Sequence, residues 1–96
     1  MELKEFCKKA HEIAVEKGFW EDERQVPELL MLIVTELGEA CEADRKGDED
    51  NFKEEIADTF IRLGDMCAAR AIDIEEEIKK KMEYNKTRPK KHGKKY

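Results

Sequence analysis

Apolar residues recur at three- and four-residue spacing along most of the chain, which is the pattern of amphipathic helices. The first stripe predicts a helix over about residues 2–17, and Gly18 follows as its C-terminal stop. The second stripe predicts a helix from about Pro27 to Arg45, with the proline in its first turn. Gly47 ends this second helix.

Two further helices follow in the second half of the chain. The third is predicted to begin near Asp50 or Asn51, either of which can cap it, and to end near Arg70. Asp73 starts the fourth, with Glu76 three residues later as the partner in a capping box. The apolar edge of this last helix is thin, so it is predicted to bury little surface.

Four helices with short connections predict an all-α fold, an antiparallel four-helix bundle. A chain of 96 residues has room for one domain, which we assign to residues 1–88, and a basic C-terminal tail follows over residues 89–96. Two Pro and five Gly are too few for an all-β fold with its many tight turns. A core this small is marginal, and the second helix is apolar around much of its circumference. Self-association as a homodimer or homotetramer is therefore expected.

Composition narrows the class of protein further. The net charge is −5, with an acidic body and a basic C-terminal end, which makes nucleic-acid binding through the lysine-rich tail the weakest hypothesis. The N-terminus does not resemble a signal peptide, and no apolar run could span a membrane. Cys7, Cys41 and Cys67 are odd in number and have apolar neighbours, so buried thiols in a reducing, cytoplasmic location are expected.

Two pairs of acidic residues are the candidate chemistry. Glu36 and Glu39 lie three residues apart on the second predicted helix, and Glu55 and Asp58 repeat that spacing on the third. Both pairs border the apolar stripes, so antiparallel packing would bring four carboxylates together. Such a group repels itself unless a cation neutralises it, and oxygen ligands suit Mg²⁺, with Mn²⁺ as a possible substitute. Arg62 lies one turn after Asp58, and Asp65 extends the acidic edge further along the same helix.

Chance is the alternative to a metal site at these two pairs. Since 24 of 96 residues are acidic, the same spacing also occurs where no function is needed, as between Glu2 and Glu5. Two other kinds of site do not fit the sequence. A di-iron bundle needs Glu-x-x-His pairs, and neither His11 nor His92 follows a glutamate by three residues. The glycines are too scattered for a phosphate-binding P-loop.

The segments "ELGE" at 36–39 and "EIAD" at 55–58 resemble the ExxE…ExxD signature of MazG-like nucleotide pyrophosphohydrolases. The residues around both segments resemble that family as well. The resemblance extends from about residue 11 to residue 95. It implies a Mg²⁺-dependent hydrolysis of nucleoside triphosphates to the monophosphate and pyrophosphate. Glu36, Glu39, Glu55 and Asp58 would then be the metal ligands, and either Glu36 or Glu39 would be the catalytic base.

The resemblance also implies substrate contacts. His11 and Trp20 match positions that contact the base in some members, and Lys81, Asn85 and Arg88 resemble residues that contact the phosphates. The alternatives are an aromatic anchor in the core or at a dimer interface for Trp20, an ordinary half-exposed histidine for His11, and a solvated basic helix end for the other three residues.

We therefore expect a nucleoside triphosphate pyrophosphohydrolase of nucleotide-pool sanitation or control. The alternative is a non-catalytic oligomerisation or regulatory module that retains a cation site. The nucleobase, the sugar and the pathway stay open at this point, and active sites at a subunit interface are implied by the resemblance only.

Overall fold

The computed structural model describes residues 1–89, and its helices are those that the apolar spacing predicts. They are α1 (Leu3–Glu16), α2 (Val26–Lys46), α3 (Glu49–Ala69) and α4 (Ile74–Thr87). The described residues form no strand, which confirms the all-α prediction. None of these helices is long and apolar enough to cross a membrane. Apart from Pro89, the predicted basic tail lies outside the described residues.

The helix ends follow local capping chemistry. Gly47 closes α2 in the left-handed conformation, with φ of 73°, which a residue with a side chain adopts only at a cost. Asp48 then caps α3 by accepting a hydrogen bond from the backbone N of Asn51 at 3.1 Å. The expectation that Asp50 or Asn51 would cap this helix was wrong, because the left-handed glycine turns the chain so tightly that α3 begins earlier. Asp73 caps α4 as predicted.

Helix α3 is the centre of the fold, packed against α2 on one side and α1 on the other. The two-residue connection after α2 makes α2 and α3 a helical hairpin. Gly64 permits the close approach of α1, since a Cβ there would lie 2.8 Å from a ring carbon of Phe6. Helix α4 packs mainly against α1 and buries no residue completely. The buried apolar core is correspondingly small: Cys7, Ala10, Leu29, Ile33, Ala40, Ala43 and Cys67.

Large apolar side chains remain on the surface of the α2–α3 hairpin. On α2 they include Met31, which is 59% exposed, and Val34, and on α3 they include Phe60, which is 61% exposed. This distribution follows from the wide apolar circumference that the sequence of α2 predicted. Self-association of this surface stays a prediction.

The three cysteines divide into two kinds. Cys7 and Cys67 are buried, as predicted, and burial raises the pKa of both thiols. The expectation for Cys41 was wrong, because it is exposed. Cys41 follows the buried Ala40 directly, and a step of one residue turns its side chain about 100° around the helix, away from the core. All three thiols are free.

Candidate metal centre and adjoining cavity

Three of the four predicted metal ligands converge where α2 packs against α3. Glu36 and Glu39 of α2 and Glu55 of α3 each offer a carboxylate oxygen, and these oxygens lie within 4.8 Å of one another. Glu36 is buried, Glu55 is half-buried and Glu39 is exposed. The i, i+3 spacing on α2 and the hairpin between the helices produce this cluster, as the sequence predicted.

The cluster carries uncompensated negative charge at Glu55. Hydrogen bonding with Glu39, loss of solvent and the nearby charge of Glu36 together raise the pKa of Glu55 to about 7. Its Oε2 is enclosed and has no hydrogen-bond partner among the described residues. A polar oxygen left in this state is costly unless a proton or a cation reaches it.

Arg62 compensates one member of the cluster. Its Nε donates a hydrogen bond to Oε1 of Glu36 at 2.8 Å, and this contact holds the pKa of the buried glutamate below its usual range despite desolvation. The sequence places Arg62 one turn after Asp58 but indicates no role for it. The signal that could have found it is its position on the acidic edge, where a buried carboxylate needs a cationic partner.

Asp58 is the predicted ligand that does not join this cluster. It is exposed, and it lies with Glu36 and Arg62 in the wall of an adjoining cavity. The structure thus brings Glu36, Glu39 and Glu55 together and leaves Asp58 beside them.

The donor set of the cluster fits a hard divalent cation. All three side chains offer carboxylate oxygens, the ligands that Mg²⁺ and Mn²⁺ take, and no nitrogen or sulfur ligand belongs to the group. The enclosed oxygen of Glu55 is an acceptor already in place for such an ion. The exposed Glu39 leaves one side of the cluster open to solvent.

A cavity of about 570 Å³ lies between α1 and α3 and reaches Glu36. This volume is in the range of small-molecule sites. Most of its wall is apolar and comes from α1 and the following loop. Lys9 and Lys17 also line it, and further charged groups lie where it meets the cluster. Its lining includes Phe6, Ala10, Ile13, Phe19, Ile61, Glu36, Asp58, Arg62 and Asp65.

His11 and Trp20, the predicted base contacts, meet at Asp65. The Nδ1 of His11 lies 2.8 Å from Oδ1 of Asp65, and the Nε1 of Trp20 donates to the same oxygen at 2.9 Å. The two rings pack edge to face with centroids 5.5 Å apart. Neither residue is in the wall of the cavity beside Glu36, whereas Asp65 is. In the sequence Asp65 is only an extension of the acidic edge, and its partners are not predictable, because the three residues come from different parts of the chain.

The predicted phosphate contacts lie apart from the cluster. Lys81, Asn85 and Arg88 belong to α4 or follow it directly, and none lines the cavity beside Glu36. Lys81 Nζ lies 4.8 Å from the ring centroid of Tyr84, and the guanidinium carbon of Arg88 lies 5.2 Å from it. Within one chain the structure does not bring these residues to the three carboxylates.

Comparison with known families agrees with this geometry. The family model described as the MazG nucleotide pyrophosphohydrolase domain matches residues 24–92, well over half of the chain. The chain belongs to the MazG family. The match spans both acidic pairs of this MazG domain and α4, and it begins after His11 and Trp20, so the family assignment does not depend on them. No curated protein and no solved structure matches the chain.

Proposed function

We propose that this MazG protein is a divalent-cation-dependent pyrophosphohydrolase that converts a nucleoside triphosphate and water to the monophosphate and pyrophosphate. The observation that carries the proposal is the cluster of Glu36, Glu39 and Glu55 with the unpartnered oxygen of Glu55. Family membership supplies the reaction class, and the cluster is a site where such chemistry is feasible. We further propose that the protein acts in nucleotide-pool sanitation or control in the cytoplasm.

Glu36, Glu39 and Glu55 would hold Mg²⁺, or Mn²⁺ in its place, and Asp58 would complete the acidic set from the cavity wall. When bound, the cation supplies charge neutralisation at the phosphates and lowers the pKa of a coordinated water. These ligands come from two helices, so the rigid α2–α3 hairpin fixes their spacing.

The protein's own side chains divide the remaining work. Arg62 keeps Glu36 ionised and fixes its orientation through the 2.8 Å hydrogen bond. Glu39 is the exposed member of the cluster, whereas Glu36 is buried and already accepts from Arg62. We therefore assign to Glu39 the role of general base that takes a proton from the attacking water.

The cavity between α1 and α3 would receive the nucleoside, since it is mostly apolar and meets the cluster at Glu36. His11 and Trp20 do not line this cavity and would act on it through Asp65, which both contact. Lys81, Asn85 and Arg88 would contact the triphosphate across the interface of a homodimer or homotetramer, because none of them lines the cavity of its own chain. Cationic and amide donors of this kind suit phosphate oxygens.

The test is a product analysis. Purified protein is incubated with a panel of ribo- and deoxynucleoside triphosphates, each with Mg²⁺ and with EDTA, and the products are resolved by ion-exchange chromatography. The proposal expects monophosphate and pyrophosphate in the presence of Mg²⁺ only. Diphosphate and phosphate would overturn the assigned bond. Absence of turnover with every nucleotide would favour a non-catalytic oligomerisation or regulatory module instead.

A further inference from the structure

Asp65 is a buried carboxylate that uses one oxygen for the protein and leaves the other free. The residue is 7% exposed, and its Oδ1 is bound by the N–H groups of His11 and Trp20. Among residues 1–89, no side chain or backbone group donates to Oδ2. In the same part of the chain, the one side-chain oxygen that is both enclosed and without a partner is Oε2 of Glu55. Because Oδ2 of Asp65 also lacks a partner but is not enclosed in this way, it retains access to solvent.

Asp65 also occupies a position where a ligand would meet it. It lines the cavity that reaches Glu36, in a wall that is otherwise mostly apolar. Arg62, the charged residue one turn before it on α3, is engaged with Glu36 and forms no ion pair with Asp65 within the described residues. An ionised aspartate only accepts hydrogen bonds, so an occupant of the cavity that meets the free Oδ2 must offer an N–H or O–H donor.

We propose that Asp65 determines base specificity by accepting a hydrogen bond from the exocyclic amino group of the nucleobase. The inference rests on the proposed function, in which the cavity takes the nucleoside. The substrate class is then a nucleoside triphosphate of cytosine, adenine or guanine, and triphosphates of uracil, thymine and hypoxanthine are disfavoured.

The chemistry of base edges gives this selection. Cytosine and adenine present an amino donor where uracil and hypoxanthine present a carbonyl acceptor. The ring N–H of a keto base is also a donor, but a carbonyl flanks it, and the carbonyl lone pairs repel an approaching carboxylate. A site built on a buried hydrogen-bonding group rejects the analogue that leaves this group unpaired.

His11 and Trp20 are positioning residues in this arrangement. Each donates to Oδ1, so together they fix the rotamer of Asp65 and keep the other oxygen directed away from themselves. They come from α1 and from the loop that follows it, whereas Asp65 comes from α3. The specificity site is thus held by the same α1–α3 packing that forms the cavity.

Turnover of matched substrates tests the inference. Cytosine and uracil triphosphates form one pair, and adenine and hypoxanthine triphosphates form the other, each with both sugars. A hydrogen bond to a charged acceptor predicts that kcat/KM for the amino member exceeds that for the keto member by about 10- to 100-fold. Asp65→Asn keeps an oxygen for His11 and Trp20 but turns an amide donor to the cavity, so the ratio falls to about one or reverses. Asp44→Asn, at an exposed position, is the matched control and keeps the wild-type ratio.

A binding measurement keeps the inference separate from turnover. Trp20 is the one tryptophan of the chain, so its fluorescence and its indole N–H signal in NMR report directly on Asp65. Titration with cytidine monophosphate is expected to shift the indole signal at concentrations about tenfold or more below those that uridine monophosphate needs. Equal responses to the two nucleotides, or no response to either, would overturn the inference. If no triphosphate is hydrolysed while the monophosphates still discriminate, the proposed function fails and the specificity site stands.

Discussion

Two of the acidic residues on helix α3, Glu55 and Asp65, have opposite kinds of neighbours. Glu55 faces two other carboxylates, its pKa is raised to about 7, and one of its oxygens has no partner. Asp65 faces two N–H donors that come from α1 and the following loop. The first residue has an enclosed oxygen that gains a partner only when a cation or proton arrives, whereas the second already has two donors on Oδ1 and leaves only a solvent-accessible oxygen free. Partners, more than burial, therefore decide which carboxylate is available for a metal.

The largest expected effect is on catalysis at Glu55. Glu55→Gln removes a charged ligand but keeps the shape of the side chain, so we expect kcat/KM to fall by about 100-fold or more. The apparent Mg²⁺ concentration for half-maximal activity is expected to rise in parallel. Glu54→Gln changes the exposed neighbour on the same helix and is the matched control, with activity near that of the wild type. Wild-type kinetics in Glu55→Gln would remove Glu55 from the metal site.

The next effect is on the free energy of unfolding, which is expected to fall on substitution of Asp65 but not on substitution of Glu55. Asp65→Ala leaves the N–H groups of His11 and Trp20 without their acceptor, so we expect the free energy of unfolding to fall by about 1–3 kcal/mol. In EDTA, Glu55→Gln removes repulsion and is expected to leave that free energy unchanged or raise it.

Urea denaturation monitored by circular dichroism measures both variants, and Asp44→Ala controls for the loss of an exposed aspartate. A loss of stability in Glu55→Gln equal to that in Asp65→Ala would show that the two carboxylates are both structural, and the comparison would fail.

The sequence predicts local features of this fold well. The four helices, the glycine stop of α2 and the cap at Asp73 each depend on residues close together in the chain, and the structure confirms them. The convergence of Glu36, Glu39 and Glu55 was also predictable, because it needs only helical spacing and one hairpin.

Features that depend on contacts between distant segments were not predictable. The bonds of His11 and Trp20 to Asp65 join α1, a loop and α3, and no spacing in the sequence indicates that these segments meet there. The pairing of Arg62 with Glu36 similarly requires the rotation of α3 relative to α2. The position of α4 against α1 separates Lys81 and Asn85 from the cluster, although their spacing of one turn suggested a phosphate site.

The smallest expected effect is a pH dependence that distinguishes Glu55 from its neighbours. Its pKa rises on folding from 4.5 to about 7, so its contribution to stability is complete below about pH 4.5 and is lost as the pH rises through about 7. The pKa of Glu36 is lowered, so its contribution is present above about pH 4.5 and is lost only as the pH falls through its lowered value. Of these two glutamates, it is therefore Glu55 that lowers the stability as the pH rises between about 5 and 8.

Thermal unfolding in EDTA measures this decline as the difference in Tm between the wild type and Glu55→Gln at each pH. The Tm of the variant is expected to increase relative to that of the wild type as the pH rises across this interval, because glutamine has no proton to lose at that position. Saturating Mg²⁺ is expected to abolish this relative increase in Tm, since the cation then takes the place of the proton at the cluster. A Tm difference that stays constant with pH in EDTA would mean that the carboxylate of Glu55 already has partners within the fold, as that of Asp65 does, and the contrast between the two residues would no longer hold.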